Sequence, residues 1–479
     1  MNVRDLEPKI VWNHFSDLNA VPRPSKKEER VIKFMQDFGA KLALDTYTDA
    51  IGNVIIKKPA TAGMEDRQTV IIQSHLDMVH QKNSDTNFDF DTQGIEMYVD
   101  GDWVRANGTT LGADNGMGVA AIMALLSSED IAHPTIEALF TIDEETGMTG
   151  AMELEKGLLK GTILLNLDTE DDDEFSIGCA GGIDTNTTYK YAQASVIAGS
   201  QTYNIIVNGL NGGHSGVQIN EELGNANKIM NRLMYGCEDY NLQIINVDGG
   251  SLRNAIPRES FATIAASPAY LEELEQRTQA IKEEYSIQDP NLSIRVEATS
   301  QADKAMSLED TIKVTTALYA VHNGVFRYSR AIEGSVETSS SLARVIVKEG
   351  EFITQSLQRS SLESGKYDVA YTVAAPFYLM GCEVQQKGDY PGWSPNPTSP
   401  ILDILVAKYK ELFNNEEPKV MAIHAGLECG LLGKRYPGLD MISFGPTIKG
   451  AHSPDERCGI KSTAKFWMFL KEILANVPK

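Results

Sequence analysis

Three things are scarce in this chain. Cysteine is the first: there are five in 479 residues, at positions 179, 237, 382, 429 and 458, with no C-x-x-C pair among them. That scatter excludes a disulfide framework and a zinc-finger spacing, and it fits buried thiols in a reducing, cytoplasmic setting. Long apolar runs are the second. None approaches the ~20 residues that a membrane helix requires. The opening MNVRDLEPKIVWNHFSDLN has no basic-then-apolar leader, so it reads as an amphipathic helix rather than a secretory signal. Positive charge is the third. Lys and Arg number 43 against 66 Asp and Glu, a net charge of −23. Nucleic acid and anionic membrane surfaces are therefore excluded as expected partners.

What remains is ordinary globular material, with 42% hydrophobic and 23% charged residues. A chain of this length exceeds one ordinary core, so two or more domains are expected. The first third alternates strands and helices. Apolar spacing predicts a helix over 28–38, strands over 53–57 and 70–74, and a hairpin around Asp100-Gly101-Asp102. A buried helix over 115–126 and strands over 136–142 and 162–167 follow. This alternation predicts an α/β fold with a mostly parallel sheet covered on both faces.

The middle has another texture. Strands over 202–207, 241–247, 260–266 and 292–298, with helices over 225–235 and 269–285, give the β-α-β-β-α-β order of a ferredoxin-like module. The stretch 307–384 has room for a second. GDYPGWSPNPTSP, Gly388 to Pro400, is the best linker candidate. Beyond it come a helix over 401–413, a strand over 441–444 and a closing helix over 463–474 with Ser462 as its N-cap. The α/β texture thus resumes at the end. The expected division is a catalytic domain in two parts, 1–181 and 391–479, interrupted by an α+β lid domain over 182–390.

Chemistry-bearing residues gather at predicted strand ends, where α/β sheets place their ligands. His75-Leu76-Asp77 follows one strand; His75 suits a metal, and Asp77 two residues on can hold its other ring nitrogen. Asp114, in Leu111-Gly112-Ala113-Asp114-Asn115-Gly116, reads either as a ligand or as a helix N-cap. Glu144-Glu145 follows another strand; adjacent acids repel unless a cation compensates them, and an exposed acidic turn is the other reading. Asp168 ends a third strand, and His452 follows a fourth. The run Glu170-Asp171-Asp172-Asp173-Glu174 lacks the glycine and alternate spacing of a calcium loop, and is expected to be a solvated loop.

SHLDMV, LGADNG, DEETGMTGA, LNLDTED, GGHSG, SLRNAIPRE, HAGLECG and AHSPDE follow one another from Ser74 to Glu456. As a set they resemble the M20 family of metallopeptidases, in particular its broad-specificity cytosolic dipeptidase branch. The resemblance implies two divalent metal ions, zinc with manganese or cobalt as alternatives. His75 and Asp168 would hold one and Glu145 and His452 the other, with Asp114 bridging. It further implies Glu144 as general base, Asp77 orienting His75, and His214 steadying an oxyanion. Asn254 and Arg359 would bind the substrate's carboxylate end. Dipeptides, Xaa-His types included, would be substrates of a homodimer. Aminopeptidase, carboxypeptidase and N-acyl amino acid deacylase activities stay open, as does metal or peptide binding without catalysis. His80 is expected to be structural, and His424 has no assigned role.

Overall fold

The structure is a computed structural model that describes residues 2–479. The described chain divides into two compact units. The first contains the chain up to Gly178, with Pro395–Ala422 and Leu427–Lys479; the second contains Cys179–Ser394 and Ile423–Gly426.

An eight-stranded sheet organises the first unit. Its four inner strands run in the order Ile136–Thr141, Val70–His75, Ile163–Asn166, Asp440–Ser443, and all pair in parallel. Asp45–Thr48 and Val54–Lys58 extend one side antiparallel. Val70–His75 and Ile136–Thr141 are buried at every residue, which is why they read as continuous apolar runs: helices cover both faces of such a sheet. Ala113–Ser127 is buried almost throughout and packs on Val70–His75 and on the helix Lys9–Asn19. A small four-stranded sheet, ordered Ile448–Lys449, Arg457–Gly459, Trp103–Ala106, Met97–Asp100, anchors the loop that carries His452. The closing helix spans Ile460–Ala475 with Gly459 as its N-cap. Ser462 is therefore not the cap. Its hydroxyl instead accepts the Thr447 N–H at 2.6 Å.

The second unit is built on one nine-stranded sheet. Ser293–Ala298, Gln201–Asn208, Ser260–Ala266 and Gln243–Gly249 lie in the order fourth, first, third, second of a β-α-β-β-α-β module, all antiparallel. Glu383–Tyr390, Gly181–Lys190, Glu351–Ser360 and Val336–Lys348 repeat that order. The first strand of this second module thus precedes the whole first module in the chain. Val247 and Gly249 pair with Val347 and Val345, which joins the two modules into one sheet. Helices Ala226–Met234, Tyr270–Glu284, Leu308–Ala320 and Glu363–Met380 share a single apolar core with it.

Candidate metal centre and active site

Three parallel strands of the first unit end beside one another, and the residues at or just beyond their ends converge. His75 is the last residue of its strand and is fully buried. Its Nε2 lies 3.2 Å from Asp114 Oδ1 and 3.5 Å from Asp168 Oδ1. His452 Nε2 lies 3.2 Å from Asp114 Oδ2 and 3.1 Å from Glu145 Oε2. The Asp114 carboxylate is therefore split, one oxygen toward each histidine. Glu144 and Glu145 sit on the short turn Glu144–Gly147, entered through Asp143 in a left-handed conformation at φ 54°. His452 is also left-handed, at φ 63°, as residues at functional sites are more often than elsewhere.

Asp77 ties two of these pieces together. His75 Nδ1 is 3.1 Å from the Asp77 carbonyl and 3.4 Å from Oδ1. Asp77 Oδ1 also accepts the Glu144 N–H at 3.0 Å, and Oδ2 accepts the Glu145 N–H at 3.2 Å and the Ser25 hydroxyl at 2.8 Å. One carboxylate thus sets both the histidine and the two-glutamate turn. Asp77 also lies within a group with Glu28 and Asp143, but there Lys26 pairs with Asp143 at 2.5 Å.

The electrostatics are those of crowded acids. Burial, reinforced by Asp168, Glu145 and Glu428, pushes Glu144 well above the usual carboxylate range against the pull of His75. Burial also pushes Asp168 to about 6, with Asp114 and Glu145 adding to it and His75 opposing. Burial would raise Asp114 too, but hydrogen bonds from His452 and His75 hold it below the usual range. Those bonds to Asp114 and Glu145 push His452 to about 11. Glu145 Oε1 is buried with no protein partner. Two imidazoles and three carboxylates form an N/O donor set that fits zinc, manganese or cobalt. His75, Asp114 and Glu145 present ligand atoms within 4.8 Å of one another. A cation among them would replace the proton now shared between imidazole and carboxylate.

Some residues here carried no assigned role in the sequence. Glu428 is fully buried; its Oε2 accepts Gln73 Nε2 at 2.6 Å and the Thr141 hydroxyl at 2.7 Å. Burial pushes it to about 8. Glu170 is pushed to about 8, by burial and then by Asp114 and Asp168. The rest of its acidic run is paired rather than simply solvated: Asp171 with Lys449, Asp172 with Lys465, Asp173 and Glu174 with Lys419. The matching lysines lie some 245 or more positions away in sequence, so no local pattern announces them. His80 is exposed, meets Phe90 edge-on and stands apart from the cluster.

His214, Asn254 and Arg359 belong to the second unit. Gly213–His214 pairs with Ala255–Ile256, and the Asn254 carbonyl accepts the Ser215 N–H at 2.8 Å. His214 Nδ1 accepts the N–H groups of Gly216 at 3.2 Å and Val217 at 3.0 Å. An acceptor Nδ1 puts the ring proton on Nε2. Burial and the Arg359 charge lower His214 to about 4, so it stays a neutral donor. Arg359 is buried; Nη1 donates to the Tyr390 hydroxyl at 3.0 Å, while Nε has no partner. His424, in the segment Ile423–Gly426 that belongs with this unit, places Nε2 2.7 Å from the Ser339 hydroxyl. Burial, Arg359 and His214 lower it to about 3.

Acids and imidazoles gathered at the ends of parallel strands form a site suited to a divalent metal. Residues 71–476 match the model of peptidase family M20/M25/M40, and the chain belongs to that family. It is 41% identical over 478 residues to the cytosol non-specific dipeptidase of Escherichia coli strain K12, covering 99% of this chain and 98% of that protein. Among solved structures it is similar to the aminoacylhistidine dipeptidase of Vibrio alginolyticus, at 41% identity and a TM-score of 0.93, with 100% and 99% of the two chains covered. An aminopeptidase from Bacillus cereus shares the fold, at 15% identity and a TM-score of 0.57 over 98% of this chain and 99% of that one.

Proposed function

We propose that this protein is a cytoplasmic, homodimeric metallo-dipeptidase of broad specificity, Xaa-His dipeptides included. The observation that carries the metal chemistry is the Asp114 carboxylate, with one oxygen toward His75 and the other toward His452. Support for the substrate class comes from two relatives, named as dipeptidases, that are 41% identical over almost the whole chain. Among the described residues no helix is long and apolar enough to cross a membrane.

In this reading His75, Asp168 and Asp114 would hold one divalent cation, and His452, Glu145 and Asp114 the other. Zinc is the proposed metal. When bound, such a pair supplies Lewis acidity and lowers the pKa of water from ~15.7 toward ~7. Glu144 then accepts a proton from the water that attacks the peptide carbonyl, and delivers it to the leaving amine. Asp77 keeps the Glu144–Glu145 turn and His75 in register while this happens. The His214 Nε2–H donates to the developing oxyanion. Arg359, whose Nε has no protein partner, takes the substrate's carboxylate together with Asn254. The second unit, which carries His214, Asn254 and Arg359, is the lid domain of this reading.

The test is hydrolysis of a panel of dipeptides, tripeptides and N-acylated amino acids by the purified protein. Each is assayed as isolated, after chelation and after return of zinc. Dipeptide cleavage that chelation abolishes and zinc restores is expected, with tripeptides and blocked substrates spared. Cleavage of N-acyl substrates or tripeptides instead would overturn the substrate class. Two bound metals without any cleavage would leave a binding protein.

A further inference from the structure

The helix Ala113–Ser127 is kinked in its first turn, where Asp114 (φ −81°, ψ 108°) and Asn115 (φ −105°, ψ 30°) leave the helical conformation, and Asp114 is the residue that the proposed function needs most. An aspartate at a helix start ordinarily turns its carboxylate back onto the free N–H groups of the first turn. Here the helix has no side-chain cap from its own N-terminus. Glu456, from the far end of the chain, instead grips the backbone that leads into the helix. Its Oε2 accepts Leu111 N–H at 2.7 Å and Gly112 N–H at 2.9 Å; its Oε1 accepts Ala113 N–H at 2.7 Å and Asp114 N–H at 3.2 Å. We infer that Glu456 is a positioning residue: by holding the four consecutive amides of Leu111 to Asp114 it fixes the backbone that aims the Asp114 carboxylate between His75 and His452. This inference rests on the dinuclear reading above.

Three further observations make Glu456 a fixed anchor. It is 2% exposed, so its carboxyl oxygens are directed at the amides rather than at water. It immediately precedes the strand Arg457–Gly459, which is held between Ile448–Lys449 and Trp103–Ala106, and it lies four residues after His452. It therefore couples the loop of one candidate ligand to the loop of the bridging one. Arg23 grips the opposite side of the same turn: Nη2 donates to the Gly112 carbonyl at 2.6 Å, and Nη1 to those of Leu76 at 3.0 Å and Asp77 at 3.1 Å. A Cβ at Gly112 or Gly116 would stand 2.6 or 2.5 Å from that Nη2. The turn is thus fastened by a carboxyl group on its N–H side and a guanidinium on its carbonyl side. Only the Asp114 side chain remains directed between the two histidines.

Cobalt titration of the metal-free full-length protein tests this, with wild type, Glu456→Gln and Glu456→Asp followed by visible absorption. Melting of the metal-free proteins is measured alongside. Removing the carboxylate in Glu456→Gln is expected to weaken cobalt binding by about 10–100-fold. It should also change the cobalt spectrum, because the turn that aims Asp114 is no longer held. Glu456→Asp keeps the carboxyl group but is one methylene too short to reach all four amides, and is expected to bind cobalt less tightly than wild type and more tightly than Glu456→Gln. A folded Glu456→Gln protein that binds two cobalt ions with wild-type affinity and spectrum would overturn the inference, whatever its melting temperature. If Glu456→Gln does not fold, Glu456→Asp is read by affinity and spectrum, and wild-type values there overturn it equally. Failure of the wild type itself to bind two ions would sink the dinuclear reading, and is told apart by that control.

Discussion

Glu144 and Glu145 are adjacent, yet their positions equip them for separate tasks. Glu145 Oε2 faces His452 at 3.1 Å. Glu144 is held above the carboxylate range by burial and neighbouring acids, as a group that must carry a proton in mid-reaction should be. Replacing Glu144 with Gln is expected to leave metal content unchanged and to lower kcat by at least ~10²–10⁴-fold; metal analysis beside steady-state kinetics checks this, and retained turnover would remove its assignment as base. His214 offers a sharper case, because its two backbone donors fix which nitrogen carries the proton. His214→Ala should cost ~10²–10³-fold in kcat. His214→Gln, which can still donate an N–H, should recover part of that loss, with KM moving less than kcat in both. An equal loss in the two variants would argue against a neutral donor.

At the scale of elements, the helix Ala113–Ser127 and the strand Val70–His75 meet almost without clearance. A Cβ at Gly118 would lie 2.4 Å from Ser74 Oγ, next to His75, and 2.8 Å from the Leu167 carbonyl, next to Asp168. Alanine is the better helix former by ~1 kcal/mol. Gly118→Ala is nevertheless expected to destabilise the protein by about 1–3 kcal/mol, since overpacking outweighs propensity where the Leu167 backbone cannot yield. Denaturant unfolding checks it, and a stabilised variant would contradict the packing argument. In the second unit, His424 joins the segment Ile423–Gly426 to Ser339. Its folded-state pKa of about 3 lies below the ordinary value of 6.5, so the unfolded chain takes up the proton first as pH falls. The stability it contributes is complete above about pH 6.5 and is lost progressively toward pH 3. The loss is limited to about 1.4 kcal/mol per pH unit for one proton. His424→Gln should flatten the fall in melting temperature between pH 6 and pH 4; an unchanged slope would refute the assignment.

For the whole molecule, all five proposed ligands lie in the first unit. A metal that binds only the folded form stabilises it by about 2.7 kcal/mol at a hundred times its Kd. Chelation is therefore expected to lower the calorimetric transition of that unit and to leave the transition of the second unit in place. Equal shifts of both would mean that the two unfold as one.

Periodicity and composition by themselves determined the parallel strands of the first unit, because a strand buried on both faces must be apolar at every position. They also marked His75, Glu145, Asp168 and His452 as residues following strands, and the structure brings these together around Asp114. The β-α-β-β-α-β order of the first module was legible for the same reason, since each of its elements carries its own period. Only tertiary structure decided the rest. Gly181–Lys190 opens the second module although a complete module intervenes before its partners, and no local pattern records a pairing made across such an insertion. Ser462 reads as a cap, but the helix starts earlier at Ile460, next to the strand Arg457–Gly459 that carries the chain into it. Glu456 meets Leu111 across 345 positions, and Arg23 meets Gly112 across 89. A side chain that acts by gripping distant backbone leaves no signature in its neighbours, because backbone amides are the same at every residue and only the fold selects which of them it meets.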